Sequence, residues 1–274
     1  MTAVNLKTML GKANKNNYAV AGLVVLGWED ALAFTQAADE TGIPIILQAG
    51  PSCRAHTPVP ILGKMFRYLA EQTKTQICCH IDHGYNFEDC KEGIDSGFTS
   101  VMYDGSKLPL NSNIKNTAKI AKLVESYNIS LEGEVGIVGY HNGKISKGTN
   151  LKEAKKFANE SGVDAMAISV GNTHLQTSKI AQIDITKIID IQNSVKIPLV
   201  LHGSSGISYK MRKIIASKTN VAKFNIGTEL RMVAGKSLRK NIINNKKIFD
   251  RLQIIKPTIV DIKKQAIKVI KNLI

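Results

Sequence analysis

Three histidines follow apolar, strand-like runs at points where each run gives way to a turn. His83 ends the segment His80-Ile81-Asp82-His83, and His174 and His202 follow two later runs. Three imidazoles placed at the ends of strands can bind a catalytic divalent metal that keeps one coordination position open. Asp82 precedes His83, so a carboxylate able to act as acid or base would lie beside such a metal. The sequence therefore predicts a catalytic metal site.

Short β-branched apolar runs alternate with longer amphipathic stretches, which is typical of buried parallel strands connected by helices. Eight strands are predicted, at 18–25, 44–49, 76–81, 99–103, 130–135, 165–170, 198–201 and 221–225. Helices are predicted at 29–41, 61–73, 87–96, 114–127, 151–161 and 209–217, with appended helices in 235–247 and 257–274. Eight such units predict a single-domain TIM barrel over residues 1–274. An open, doubly wound sheet is the alternative, but no Gly-rich dinucleotide turn follows Val25.

A TIM barrel gathers its catalytic groups at the carboxyl ends of its strands. Asp104 follows the fourth predicted strand, and Glu132 and Glu134 share one face of the fifth. A polar network that orients the histidines explains the two glutamates as well as metal binding does. Alternation along the third strand puts Asp82 and His83 on opposite sides, so a bulge or strand end must turn both inward.

The formal net charge of +15 is compatible with three classes of anionic partner: nucleic acid, anionic membranes and phosphorylated small molecules. Lysines are spread through helix-like segments without an aromatic and basic platform, which favours a solvated surface over nucleic-acid binding. The apolar runs are too short for a membrane span and no secretion signal is evident, so we expect a cytoplasmic protein with no membrane partner. The four cysteines form no C-x-x-C pair, and we expect reduced, mostly buried thiols.

Six segments, in order along the chain, resemble the successive signatures of class II ketose-bisphosphate aldolases. They are 80–83, 102–106, 131–136, 170–174, 201–206 and 223–229. In that family three histidines hold a zinc ion, and the matching positions are His83, His174 and His202. Cleaving the bond between the third and fourth carbons of a ketose leaves an ene-diolate, whose charge Zn²⁺ would stabilise as a Lewis acid. Asp82 matches the general acid/base that takes the proton from the C4 hydroxyl.

The resemblance implies further site residues. Positions matching substrate contacts, mainly to a phosphoryl group, are Gly203, Ser205, Asn225, Gly227 and Thr228. Glu134 matches a carboxylate that takes part in a secondary metal position in relatives, and Asp104 lies close to it in the pattern. The family also implies a homodimer or homotetramer.

The chain departs from the family pattern at several positions. Leu175 stands where the family usually has Gly, at a point where the backbone approaches phosphate or a monovalent cation. Ala21–Val24 supplies no amide side chain where relatives often read Pro-Ala-Phe-Asn, and Gly227 replaces an Asp, Asn or Ala. Pro51–Arg54 differs from the usual Gly-containing loop. Lys256 falls near the position from which a relative's second-phosphate Arg would come from the neighbouring subunit.

These observations leave three hypotheses. The first is a zinc-dependent aldolase that reversibly cleaves fructose 1,6-bisphosphate into dihydroxyacetone phosphate and glyceraldehyde 3-phosphate, or acts in the same way on tagatose 1,6-bisphosphate or another ketose phosphate. The second is a non-catalytic, aldolase-like binding protein, prompted by the altered loops, although Asp82 beside three histidines argues against it. The third is a basic barrel that binds nucleic acid.

Overall fold

Eight parallel strands close into a barrel surrounded by helices. The computed structural model describes residues 2–140 and 148–274. The barrel strands are β1 (Val20–Val25), β2 (Ile45–Ala49), β3 (Ile77–Gly84), β4 (Ser100–Tyr103), β5 (Ser130–Val135), β7 (Ala165–Ile168), β9 (Leu199–Leu201) and β10 (Val221–Ile226). They follow one another around the barrel in the order β1-β10-β9-β7-β5-β4-β3-β2, while β6 (Gly139–Tyr140) and β8 (Thr173–His174) form a separate pair. The TIM-barrel prediction is confirmed.

Helices connect the strands and cover the outside of the barrel. They are α1 (Leu6–Lys15), α2 (Trp28–Thr41), α3 (Pro51–His56), α4 (Val59–Gln72), α5 (Phe87–Asp95), α6 (Leu110–Ser126), α7 (Leu151–Glu160), α8 (Ile185–Ser194), α9 (Tyr209–Lys218), α10 (Thr228–Asn244), α11 (Arg251–Ile255) and α12 (Thr258–Lys271). Helices α1, α3, α8 and α11 were not predicted from the sequence. An appended helix was predicted from residue 235, whereas α10 begins at Thr228, directly after β10.

Helix α1 closes the amino-terminal end of the barrel. Asn5 caps it by accepting a hydrogen bond from the Thr8 N–H. Its apolar face, including Leu6 and Leu10, packs into one cluster with inward side chains of the strands such as Val20. Because this end is filled, polar side chains inside the barrel collect towards the carboxyl ends of the strands.

The four cysteines are reduced and buried, as expected. Burial raises the pKa of the Cys78 and Cys90 thiols to about 12. Among the residues that the structure describes, no helix is both long and apolar enough to cross a bilayer.

Candidate active site

An irregular end of β3 turns two adjacent side chains towards the same cavity. The β3–β4 pairing shifts register between Ile81 and Gly84, and His83 adopts a left-handed backbone conformation with φ of 52°. Asp82 and His83 therefore both line the cavity at the barrel mouth, although alternation in a regular strand would separate them. A left-handed conformation costs a non-glycine residue on the order of 1 kcal/mol, so neighbouring contacts must hold it.

Arg54 holds this backbone. Its Nη1 donates to the carbonyl oxygens of Ala49 and Asp82, each at 2.6 Å, and its Nη2 donates to the His83 carbonyl at 2.8 Å. The guanidinium thus ties the end of β2 to the bulge in β3. The sequence interpretation treated Pro51–Arg54 only as a departure from the family, because contacts to carbonyl oxygens leave no sequence pattern.

Replacing Arg54 by Ala should lower turnover or metal affinity about tenfold to a hundredfold, since it frees the bulge that presents Asp82 and His83. The turnover and metal affinity of Arg54→Lys should lie between those of the wild type and Arg54→Ala, because the charge remains but the forked donor geometry is lost. Added guanidinium ion should restore part of the activity of Arg54→Ala. Turnover and metal affinity equal to those of the wild type would show that the bulge holds without Arg54.

Three imidazole nitrogens converge at the barrel mouth. His83, His174 and His202 each offer one nitrogen, and these lie within 4.8 Å of one another. His202 Nδ1 and His83 Nε2 are 2.9 Å apart, and the rings meet edge to face. The short strand β8 delivers His174, and His202 follows β9. This convergence is the arrangement that a single tetrahedral ion with three histidine ligands requires.

Carboxylates behind two of the rings fix their orientation. Asp104 Oδ2 lies 2.9 Å from His83 Nδ1, and Glu132 Oε1 lies 2.9 Å from His202 Nε2. Because a carboxylate accepts hydrogen bonds, these ring nitrogens carry the protons, and His83 Nε2 and His202 Nδ1 are left to bind a metal.

Glu134 is a buried carboxylate close to the histidines. It is 2% exposed, its Oε1 accepts a hydrogen bond from the Val138 N–H, and its Oε2 has no hydrogen-bond partner among the described residues. Burial, reinforced by the charge of Asp104, raises the pKa of Glu134 to about 8. Glu134, Asp104 and His83 form a second group of candidate ligands within 4.8 Å. The free oxygen and the ligand types suit a divalent cation here.

A buried ion pair lies deeper in the barrel, under the histidines. Lys223 Nζ contacts Glu132 Oε2 at 2.5 Å and His80 Nε2 at 3.2 Å, and all three residues are fully buried. Burial lowers the pKa of His80 to about 3, so its neutral ring accepts from Lys223 on Nε2 and donates through Nδ1 to Ser100 Oγ. Burial would raise the pKa of Glu132, but Lys223 and the neighbouring imidazoles hold it at about 2. Glu132 therefore stays ionised and orients His202.

Replacing Lys223 by Met should reduce the free energy of unfolding by ~3–5 kcal/mol, because it leaves the Glu132 charge buried without its partner. Denaturant unfolding of the metal-free protein measures this change. The double variant Lys223→Met/Glu132→Gln is the control and should recover part of the loss, since it removes both charges. A loss below about 1 kcal/mol for the single variant would mean that the pair is not a stabilising element.

Asp82 is placed to act as a base. It is 6% exposed, its Oδ1 accepts a hydrogen bond from Asn225 Nδ2 at 3.2 Å, and the same oxygen lies 4.0 Å from His83 Nε2. Burial alone would raise the pKa of Asp82, but electrostatic interaction with the neighbouring His83 and His202 rings outweighs burial, and the pKa falls below its ordinary value. The carboxylate is therefore ionised at neutral pH. Asn225 reaches Asp82, a contact that the sequence did not predict.

The remaining predicted residues surround one cavity of about 330 Å³. Besides Asp82, His83 and His174, its lining includes Gly203, Ser205, Asn225, Gly227 and Thr228. His202, Glu134 and Asp104 lie behind this lining. Gly203 has φ of 60°, and a Cβ there would collide with the Thr173 carbonyl, so only glycine suits the position. Ser205 Oγ accepts a hydrogen bond from the Glu229 N–H at 3.2 Å and so caps the start of α10.

The structure accommodates two departures from the family pattern, at Leu175 and Gly227. Leu175 adopts φ of 57°, so the backbone keeps a left-handed conformation of the kind that glycine favours, and the side chain lies at the rim with 51% exposure. At the other departure, a Cβ on residue 227 would lie 3.0 Å from Val24 Cγ2. Val24 therefore packs into the space that a side chain at 227 would need. The departures from the family pattern at Val24 and Gly227 are thus structurally coupled.

The closed barrel, the converging histidines and the ionised aspartate at its mouth define a (β/α)8 protein with a candidate catalytic metal centre. The sequence profile described as "Fructose-bisphosphate aldolase class-II" matches residues 4–274. The chain belongs to the class II fructose-bisphosphate aldolase family, and it is therefore an aldolase, a carbon–carbon lyase.

Similar proteins cover nearly the whole chain. A fructose-bisphosphate aldolase of Staphylococcus aureus (strain Mu50) is 32% identical over 265 residues, covering 94% of this chain and 92% of the relative. A 6-phospho-5-dehydro-2-deoxy-D-gluconate aldolase of Halalkalibacterium halodurans is 34% identical over 269 residues, covering 94% and 91%. The crystal structure of the YdjI aldolase from Escherichia coli K12 superposes with a TM-score of 0.88 at 26% identity, covering 99% of this chain and 97% of that one. These relatives carry differently named activities, so the family alone does not define the substrate.

Proposed function

We propose that this protein is a zinc-dependent aldolase that reversibly cleaves a phosphorylated ketose, most simply fructose 1,6-bisphosphate into dihydroxyacetone phosphate and glyceraldehyde 3-phosphate. The observation that carries the proposal is the convergence of three histidine nitrogens within 4.8 Å beside the carboxylate of Asp82. The named activity of the Staphylococcus aureus relative supports this substrate.

The residues divide the chemistry between them. Zinc held by His83, His174 and His202 supplies Lewis-acid stabilisation of the negative charge that develops as the carbon–carbon bond breaks. Asp82, ionised and held by Asn225, takes the proton from the C4 hydroxyl in cleavage and returns it to the aldehyde oxygen in condensation. The buried carboxylates behind the rings accept hydrogen bonds from the outer ring nitrogens and so favour the tautomer in which the metal-facing nitrogens can bind zinc.

The phosphoryl group of the substrate is assigned to the loops after β9 and β10. Gly203 permits close backbone approach, and Thr228 begins α10, whose positive dipole end favours an anion. Ser205 and Asn225 line the same cavity. This subsite lies between the last two barrel strands, a frequent position for phosphate in the fold.

The apolar Val24 and Gly227 pair favours a second candidate substrate class, ketose phosphates other than fructose 1,6-bisphosphate. Neither residue offers a polar side chain to a substrate hydroxyl, and both line the cavity. The same mechanism acting on tagatose 1,6-bisphosphate or another ketose phosphate is therefore the alternative. The Halalkalibacterium halodurans relative, named for a deoxy substrate, shows that such differences occur within the family.

Initial rates of triose phosphate release distinguish these substrates. The purified, zinc-loaded protein is given fructose 1,6-bisphosphate, tagatose 1,6-bisphosphate and 6-phospho-5-dehydro-2-deoxy-D-gluconate in parallel. The highest kcat/KM for fructose 1,6-bisphosphate would support the simplest proposal, and a preference for another ketose phosphate would support the alternative. Cleavage of none of them by the zinc-loaded protein would contradict both.

We also propose a homodimer or homotetramer. An apolar groove between α2 and the α11–α12 region is lined by Leu32, Leu252, Pro257 and Val260, and nearby Phe249 is 95% exposed. Lys256 lines this groove and not the catalytic cavity of its own chain. Light scattering coupled to gel filtration tests the assembly, and a monomer at micromolar concentration would contradict it.

A further inference from the structure

The cavity beside Asp82 is bordered by three residues without a polar side chain. Val24 from β1, Gly50 after β2 and Gly227 after β10 all line it. Gly50 lies next to the proposed base, because a Cβ at this position would be 3.6 Å from Asp82 Oδ2. Val24 fills the space beside Gly227, where a Cβ would lie 3.0 Å from Val24 Cγ2. Val24, Gly50 and Gly227 together form an apolar belt.

The proposed chemistry brings the aldehyde half of the substrate to this apolar belt. Asp82 takes the proton from the C4 hydroxyl, so C4 lies beside Asp82 and the belt is the surface next to C5. The phosphoryl group at the other end is assigned to the loops after β9 and β10, whereas β1, β2 and β3 follow one another on the far side of β10. The carbon chain of the substrate therefore continues beyond C4 over Val24 and Gly50.

A hydroxyl group on C5 would leave water for this belt without gaining a side-chain partner. Burial of a hydroxyl without a hydrogen bond is unfavourable, whereas a methylene group on the same surface is favoured. The backbone carbonyls of Gly50 and Gly227 already accept hydrogen bonds, from the N–H groups of Arg54 and Arg231 respectively. The apolar belt therefore favours carbon over oxygen beside C4.

Three polar side chains near the belt are directed away from it or lie towards the cavity opening. Asn225 Nδ2 donates to Asp82 Oδ1, and Asn225 Oδ1 points deeper into the barrel, 3.0 Å from the position of a Cβ on Gly22. Ser52 and Tyr85 line the cavity but are exposed, which places them near its opening. The surroundings of C5 are therefore mainly apolar.

We infer that the preferred substrate carries no hydroxyl group on C5, the carbon next to the reacting C4. The released aldehyde then has a methylene or methyl group beside its carbonyl carbon. This inference rests on the proposed function and narrows its substrate class to 5-deoxy ketose phosphates. Val24 and Gly50 determine this specificity. A C5 hydroxyl slows the reaction without abolishing it, so fructose 1,6-bisphosphate is a slower substrate.

Condensation with dihydroxyacetone phosphate tests the inference, because the aldehyde varies while the other half stays the same. The new bond joins the aldehyde carbon to the hydroxymethyl carbon, which loses a proton, and Asp82 returns a proton to the new C4 hydroxyl. Propanal and lactaldehyde differ only by a hydroxyl beside the carbonyl carbon. For the zinc-loaded protein, kcat/KM should be about tenfold to a hundredfold higher for propanal than for either enantiomer of lactaldehyde. Similar values would mean that another lining residue, such as Ser52 or Arg231, binds the hydroxyl, and would overturn the inference.

Two pairs of variants test whether the preference comes from the apolar belt. Val24→Thr and Gly50→Ser each add one hydroxyl, and the extended backbone of Gly50, with φ of −77°, accepts serine. Each should lower the propanal-to-lactaldehyde ratio of kcat/KM about fivefold, because the added hydroxyl can bind that of lactaldehyde. Val24→Ala and Gly50→Ala are the matched controls, since they change the side chain without adding a polar group, and they should keep the preference for propanal. A wild-type ratio in both hydroxyl variants overturns the role of the belt.

Deuterium exchange separates failure of this inference from failure of the proposed function. Dihydroxyacetone phosphate incubated in deuterium oxide with the zinc-loaded protein, without aldehyde, should exchange a proton at its hydroxymethyl carbon, because zinc stabilises the ene-diolate. Exchange without a preference for propanal overturns this inference alone. Absence of both exchange and condensation overturns the proposed function and this inference with it.

Discussion

Replacing Asp82 by Ala should lower kcat for ketose phosphate cleavage about a hundredfold or more while zinc remains bound. The reason is that Asp82 is the ionised carboxylate beside the three histidines, held by Asn225, and it is not needed as a metal ligand. Steady-state rates together with metal analysis of the same preparation measure both parts of this expectation.

Two controls make the Asp82 result specific. Asp82→Asn keeps the shape and hydrogen-bonding capacity of the side chain but removes the base, so it should be nearly as impaired as Asp82→Ala. Asp95→Ala removes an exposed carboxylate that forms a surface ion pair with Lys91, and this variant should behave as the wild type. Turnover near that of the wild type in Asp82→Ala would remove Asp82 from the proposed acid/base role.

Replacing His202 by Ala should release the metal and reduce cleavage to background. His202 Nδ1 is directed at His83 Nε2, 2.9 Å away, while its other nitrogen is held by Glu132, so the loss removes one of only three candidate imidazole ligands in the described cluster. Two histidines alone do not complete the ligand set of a catalytic zinc site. Equilibrium dialysis against buffered zinc measures the change in affinity.

His56→Ala is the matched control for this variant. His56 is exposed at the end of α3, outside the cluster, and its loss should leave zinc content unchanged. If His202→Ala retained stoichiometric zinc with the affinity of the wild type, the assigned ligand set would be wrong, and His83, Asp104 and Glu134 would become the group to test.

The barrel could be predicted from sequence because its strands are buried on both faces. Buried parallel strands read as continuous apolar runs, and those of β1 and β7 are visible without any tertiary information. Helix α1 was missed because it lies before the first strand, outside the alternation of strands and helices, and its apolar face packs on the barrel floor. Helix α10 was started too late because Gly227 and Thr228 were interpreted only as a phosphate-binding turn.

The histidines could be located because the chain places each one beside the end of a strand. The contacts that orient them could be anticipated only in part, since they depend on geometry between strands that are distant in sequence. Arg54 reaches carbonyl oxygens of β2 and β3, and any sequence can offer these. Asn225 meets Asp82 across the barrel mouth, 143 positions away in sequence. The packing of Val24 against position 227 likewise becomes visible only once β1 and β10 are neighbours.

Zinc-dependent catalysis at the three-histidine centre is tested most directly by measuring cleavage of fructose 1,6-bisphosphate before and after a chelator removes the metal, and then during stepwise return of zinc. We expect activity to disappear with the chelator and to rise in proportion to added zinc until one equivalent per chain is bound. Full activity in the metal-free protein would contradict a role for the three-histidine centre in catalysis.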